Sequence, residues 1–146
     1  MNSKGSYVWK WKKWDISWSL QNNLLKNSEI NILLIHGFGA SKNHWRNNQK
    51  FLGNFFNCYA IDLLGFGESS QPGATLDYEF PKSNEVKYCF DLWANQIKDF
   101  CDEVINGPVF LIGNSIGGII SLKSGEMLNN NCKGLILIDC AQRTMD

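Results

Sequence analysis

With 146 residues, 44% of them hydrophobic, and 14 Lys plus Arg balanced by 14 Asp plus Glu, the chain has the size and composition of one ordinary globular domain. The zero net charge excludes a global field aimed at nucleic acid or an anionic membrane, and 19% charged residues is too few for a disordered chain. No run approaches the roughly 18 apolar residues of a membrane span, and no apolar stretch follows the first charges as a secretory leader requires. Five cysteines (Cys58, Cys89, Cys101, Cys132 and Cys140) are odd in number, widely spaced and without a C-x-x-C pair. They read as buried thiols of a reducing compartment, the cytoplasm, rather than as disulfides or metal ligands.

The chain opens on "NSKGSYVWKWKKWDISWS", which holds four tryptophans and four lysines in its first 18 residues. An aromatic-basic surface for a membrane or an anionic partner is one reading. Alternation of Trp9 with Trp11, and of Trp14, Ile16 and Trp18 beyond "KK", favours two strands at a sheet edge. The pattern then changes to short apolar strands alternating with amphipathic helices. Residues 30–36, "INILLIH", predict a strand buried on both faces. Residues 41–56 read as a helix capped by Ser41 or Asn43, and 57–62 as a second buried strand. Residues 65–84 hold two of the three prolines and no periodicity, which predicts a loop. Residues 90–105 place Leu92, Trp93, Ile97, Phe100, Cys101 and Val104 on one helical stripe. A third strand over 108–112, a helix over 116–128 with a packing face from Ile119 and Ile120 to Leu122 and Met127, and a fourth strand over 133–139 complete the series. Such alternation implies an α/β fold with a mostly parallel sheet, right-handed crossovers and helices on both faces.

Ligands of such sheets bind at the carboxyl ends of the strands, so the residues just after each strand carry the chemistry. After the third strand comes "GNSIG", which matches the G-x-S-x-G nucleophile elbow: Gly113, Asn114, Ser115, Ile116, Gly117. A strand delivers the serine, a sharp turn strains its backbone, and a helix begins at once. Gly113 and Gly117 remove side chains where strand and helix nearly touch. The hydroxyl is left at a helix N-terminus, where N–H groups and the helix dipole favour an oxyanion. The loop "HGFGAS", residues 36–41, follows another strand and opens another helix. Its Phe38 N–H and the Ile116 N–H are the expected oxyanion donors, with Gly37 and Gly39 bending the loop towards Ser115 and His36 shaping it. A rival reading takes "GFGASK" with Asp62, 23 residues after Gly39, as a dinucleotide-binding fingerprint. Lys42 stands where the third glycine belongs, and the reading leaves "GNSIGG" without a role. No cofactor and no metal site is expected.

Taken together, "HGFGASKNHW" at 36–45, "DLLGFGES" at 62–69 and "GNSIGG" at 113–118 resemble the α/β-hydrolase fold superfamily, in its serine-nucleophile group and in the family's order. Residues 88–104 are similar to the helix before the elbow in cyanobacterial and plastid members, among them pheophytinase-like hydrolases. The resemblance implies strands one to six of that fold in a single incomplete domain over residues 1–146, without its last two strands, lid and C-terminal helix. It implies acyl chemistry on a small, apolar ester through Ser115. The family's triad runs Ser, Asp or Glu, then His, yet 31 residues follow Ser115 and none is a histidine. His36 belongs to the oxyanion loop, and His44 to the first turn of a helix. Asp139, at the end of a strand, stands where a few members carry their acid. The expected partner is the missing C-terminal half, and the alternative class is a non-catalytic binding or interaction module on the same fold.

Overall fold

The alternating tryptophans do form a hairpin. In the computed structural model, which describes residues 5–76 and 79–140, β1 (Gly5–Trp11) pairs antiparallel with β2 (Trp14–Gln21), Trp9 opposite Ile16 and Trp11 opposite Trp14. Residues 2–4 of the opening stretch and 77–78 of the long loop lie outside the described residues. Lys12, at φ 53°, turns the chain between the strands. The hairpin's aromatic side packs inward: Trp11 is buried, and the Trp9 and Trp18 rings meet Phe100 edge-on at 5.4 and 5.5 Å. The Trp11 and Trp9 indole N–H groups donate to Asp99 at 2.8 Å and Glu103 at 2.9 Å. The tryptophan stripe is therefore mainly a packing surface.

β2 runs antiparallel to β4 (Asn57–Ile61), and β4 is parallel to β3 (Asn31–Ile35), which pairs in turn with β7 (Val109–Asn114). The last strand, β8 (Cys132–Ile138), pairs parallel to β7, giving one six-stranded sheet in the order β1-β2-β4-β3-β7-β8. The register sets Ile35 beside Ile61 and Gly113, and Asn114 beside Ile138, so the four parallel strands end together. A separate pair of two-residue strands, β5 (Gly73–Ala74) and β6 (Glu85–Val86), lies within the long connection after β4.

Period-two burial splits the core into two layers. Leu33, Ile35, Ile61, Val109 and Leu111 pack beneath Trp93, Ile97 and Phe100 of α2 (Phe90–Phe100) and Ile120 and Leu128 of α3 (Ile116–Leu128). Ile32, Leu34, Cys58, Ala60 and Ile112 face the other way, against Trp45 and Leu52, the latter from α1 (Arg46–Leu52).

Three expectations need correction. The helix expected over 41–56 is a 3₁₀ turn (Lys42–Trp45) followed by the seven-residue α1, because Ser41 Oγ accepts from Asn43 N–H and tightens the first turn. The helix expected over 90–105 is α-helical only to Phe100 and closes in a π turn (Cys101–Ile105), ended by Asn106 at φ 50°. Of the packing face expected for α3, only Ile120 is fully buried. Leu122 and Met127 are exposed, and the buried side is made of Gly117, Gly118, Ile120, Ser121, Ser124 and Leu128. Small residues let α3 lie close to the sheet, with Ser121 and Ser124 hydroxyls satisfied by carbonyls of their own helix.

Candidate active site

Ser115 sits between the last residue of β7 and the first of α3, with φ 56° and ψ −120°. A non-glycine residue there is strained, and such strain persists only where the surroundings over-determine it. Here they do. A Cβ on Gly113 would run into the Gly117 carbonyl, and one on Gly117 into the Ile35 carbonyl, so both positions accept only glycine. The Ser115 N–H donates to Ile138 O at 3.0 Å, and the Asn114 side-chain amide donates to the same oxygen at 3.3 Å. Ser115 is half-buried, and its hydroxyl has no hydrogen-bond partner among the described residues. α3 has 13 residues, and the positive end of its dipole falls at Ser115.

The loop after β3 comes up to this serine. A Cβ on Gly37 would stand 3.2 Å from Ser115 Cβ and 3.3 Å from Asn114 Oδ1, the closeness that a side chain would prevent. Gly39 turns the loop at φ 70°, and Phe38 projects from it, 75% exposed. The N–H groups of Phe38 and Ile116 have no acceptor among the described residues. Two links fix the loop. At its start, the fully buried His36 donates from Nδ1 to Gly37 O at 2.7 Å and accepts the Leu63 N–H on Nε2 at 3.0 Å. At its end, the Lys42 N–H and ammonium both donate to Asp62, at 2.6 and 3.0 Å, and the ammonium also pairs with Glu68. Glu68 N–H closes the cluster on Asp62 Oδ2 at 2.9 Å.

Burial lowers the His36 pKa, and both ring nitrogens are already engaged, so the residue is a neutral strut. Burial works against the Lys42 ammonium, but the hydrogen bonds it donates to Glu68 and Asp62 hold its pKa up; Lys42 in turn holds the Glu68 carboxyl below the ordinary range. Asp62 is thus filled by Lys42 and Glu68. That removes the dinucleotide-binding reading, in which this carboxylate must be free for a ribose. The helix α2 braces the segment after β4: Gln96 accepts the Leu64 N–H at 2.9 Å and donates to Asp62 O at 3.2 Å, while Trp93 Nε1 donates to Leu64 O at 2.9 Å.

His44 is exposed, its ring edge-on to Trp45 at 5.2 Å. Asp139 is exposed at φ 44°, one residue past the carbonyl that holds Ser115 N–H. No described histidine hydrogen-bonds to Ser115 or to Asp139. Burial pushes the Cys58 thiol up to about 12, and Cys101 rises for the same reason; no disulfide joins any of the five cysteines among the described residues. No group of three or more His, Cys, Asp or Glu side chains converges as a metal site, and no helix is long and apolar enough to cross a membrane, among the described residues.

Two concavities flank these loops. One, of about 540 Å³, is polar and runs past Ser6, Ser19, Asn43, Arg46 and Gln49 to the Lys42–Glu68 pair. The other, of about 400 Å³, begins at Phe38 and is walled by aromatic side chains. Sequence reasoning missed Lys42, Glu68, Gln96, Tyr88 and Trp93 as parts of the site. The one available signal was a polar Gln96 inside the apolar stripe of α2, since a buried amide needs partners.

Comparison with known proteins agrees with this geometry. The family model for the alpha/beta hydrolase fold matches residues 30–145. The chloroplastic pheophytinase of Arabidopsis thaliana is 28% identical over 127 residues, covering 74% of this chain and 26% of that protein. The 2-hydroxy-6-oxo-6-(2'-aminophenyl)hexa-2,4-dienoic acid hydrolase of Metapseudomonas resinovorans is 29% identical over 114 residues, covering 75% of this chain and 35% of that protein. Among solved structures, a bacterial membrane phospholipase A superposes with a TM-score of 0.78 at 26% identity, over 94% of this chain and 40% of its own. The chain therefore spans well under half the length of these relatives. It belongs to the α/β-hydrolase family.

Proposed function

We propose that the chain carries the nucleophile and oxyanion hole of a serine hydrolase acting on small, apolar carboxylic esters. The observation behind this reading is Ser115 in strained geometry at a helix N-terminus, with the Gly37–Phe38 loop against it. Ser115 Oγ attacks the ester carbonyl carbon as its proton passes to a base. The oxyanion is held by the Phe38 and Ile116 N–H groups. Collapse breaks the bond to the alkoxy oxygen, which leaves as the alcohol with that proton, and water then releases the acid from the acyl-enzyme.

The base is the part these residues do not supply. His36 is spent on the loop and His44 points to solvent. On this reading the histidine arrives on a further segment packed along β8, with Asp139 as its acid partner. The apolar side chains left open on both faces of β8 support such a neighbour. Five cysteines without a disulfide among the described residues favour a reducing compartment, so we assign the protein to the cytoplasm.

The test supplies the base from solution. Imidazole added to the chain should produce hydrolysis of 4-nitrophenyl butyrate above the rate of imidazole alone. Ser115→Ala should remove that excess entirely, and Phe38→Pro should lower it by about 10²–10³ through loss of one donor. Excess turnover that survives Ser115→Ala removes the nucleophile. No excess at any imidazole concentration favours the second reading, a non-catalytic module, to which the lack of a described histidine bonded to Ser115 points.

A further inference from the structure

The concavity beside Phe38 has a chemistry of its own. Phe38, Gly65, Phe66, Pro72, Tyr88 and Trp93 line it, with Gln71 at the mouth, and none of the lining residues is charged. Its rings form one continuous wall: Phe38 meets Phe66 edge-on at 5.4 Å, Phe66 lies 5.9 Å from Trp93, and Trp93 lies 5.9 Å from Tyr88. Each polar side chain of that wall is already engaged. Tyr88 Oη donates to Pro72 O at 2.7 Å, Trp93 Nε1 donates to Leu64 O at 2.9 Å, and Gln71 Nε2 donates to Gly67 O at 3.1 Å. The wall offers a charged group no counter-charge and mainly apolar ring surface, so it favours an uncharged group. An apolar group loses nothing.

Size narrows the choice. An apolar cavity of about 150 Å³ takes one benzene ring. At about 400 Å³ this one holds a substituted ring or a branched alkyl group, and it lies at the compact end of small-molecule sites, roughly 300–1,000 Å³. Its position matters equally, because its first wall is Phe38, the neighbour of the glycine that touches Ser115. We infer that this concavity is the subsite for an uncharged, compact aryl or branched-alkyl portion of the substrate, with Tyr88 and Trp93 selecting for it. The inference rests on the hydrolase reading only for the word substrate.

Binding to the chain itself tests it. Selective ¹⁵N labelling of tryptophan gives one indole N–H signal for each of six tryptophans, and that of Trp93 reports from the cavity wall. Titration with 2-acetylnaphthalene, a neutral ketone, should shift the Trp93 signal saturably and leave Trp9, Trp11 and Trp45 in place. 2-Naphthoate, of similar size but ionised, should bind at least tenfold more weakly. Tyr88→Glu, which adds a carboxylate to the wall, and Gln71→Trp, which fills the exposed mouth, should each weaken the ketone at least tenfold. The second variant is informative if the first does not fold. Equal affinity for the two probes, parallel shifts at all the indoles, or undiminished binding in Gln71→Trp would overturn the inference. Turnover without a Trp93 response removes this subsite and leaves the nucleophile standing. A Trp93 response without turnover supports the subsite and counts against the nucleophile.

Discussion

The two edges of the sheet are built on opposite principles. At the β1 edge, the hairpin presents Lys10, Lys12 and Lys13 to solvent, with Lys10 paired to Asp15 at 2.5 Å and the other two ammonium groups over the Trp11 and Trp14 rings at 4.7 and 4.8 Å. Charge on a twisted hairpin discourages another strand from adding there. At the β8 edge, Leu135, Ile136, Leu137 and Ile138 are each 37–51% exposed, on both faces of the strand, next to exposed Leu122 and Met127 of α3. Residues apolar on both faces are what an interior strand of a parallel sheet carries. One edge carries lysines and the other is apolar on both faces, and Ser115 stands one strand in from the second.

The largest expected effect follows from that contrast. The chain alone should associate through β8, and Ile136→Lys with Ile138→Lys should return it to monomer by size-exclusion chromatography with light scattering. Val8→Lys, on exposed β1, should leave the association unchanged. Equal behaviour of the two edges would break the comparison.

Next comes the elbow. Gly117→Ala drives a methyl group into the Ile35 carbonyl, a contact with backbone that cannot swing aside. It should cost about 3 kcal/mol, the upper end for overpacking, in urea unfolding of the charged monomeric variant. A loss below about 1 kcal/mol would mean that α3 and β3 are farther apart than described. On the β1 side, Trp11→Phe removes a buried donor to Asp99 and should cost about 1.5–3 kcal/mol, since that hydrogen bond has an ionised acceptor. Glu103→Gln, at the exposed Trp9 pair, should change stability by no more than about 0.5 kcal/mol.

Acid should act on the loops rather than on either edge. His36 has its pKa lowered by burial, so below about pH 6.5 the unfolded chain takes up a proton that the folded one refuses, and stability falls with pH. Glu68, held low mainly by its hydrogen bond from Lys42, adds stability above the ordinary carboxylate range that is lost as pH falls through its folded-state value. His36→Gln should flatten the first part of that slope, and Glu68→Gln the second, in melting temperatures followed from pH 8 to 4.

How much of this could be read from residue order differs along the same lines. The strands and α3 were legible, within a residue or two at each end, because continuous apolar runs and the "GNSIGG" elbow are local signals. The long loop was legible as irregular, but not the two-residue pair β5 and β6, whose partners are twelve residues apart. α1 came out short because a capping serine favours a 3₁₀ turn that periodicity alone does not reveal. The Lys42–Asp62–Glu68 cluster was invisible because its partners meet only once β3 and β4 lie side by side. Lys42 was noticed for what it is not, a third glycine; its positive role needed the fold.

The claim that joins these parts is that Ser115 is a nucleophile awaiting a base. The most direct measurement is the mass of the chain after incubation with a fluorophosphonate, with and without imidazole, and with the adduct located by peptide sequencing. One adduct on Ser115, formed faster as imidazole rises and absent from Ser115→Ala, is the expected result. An adduct spread over other serines, or none on Ser115 while the sheet remains folded, would contradict the account.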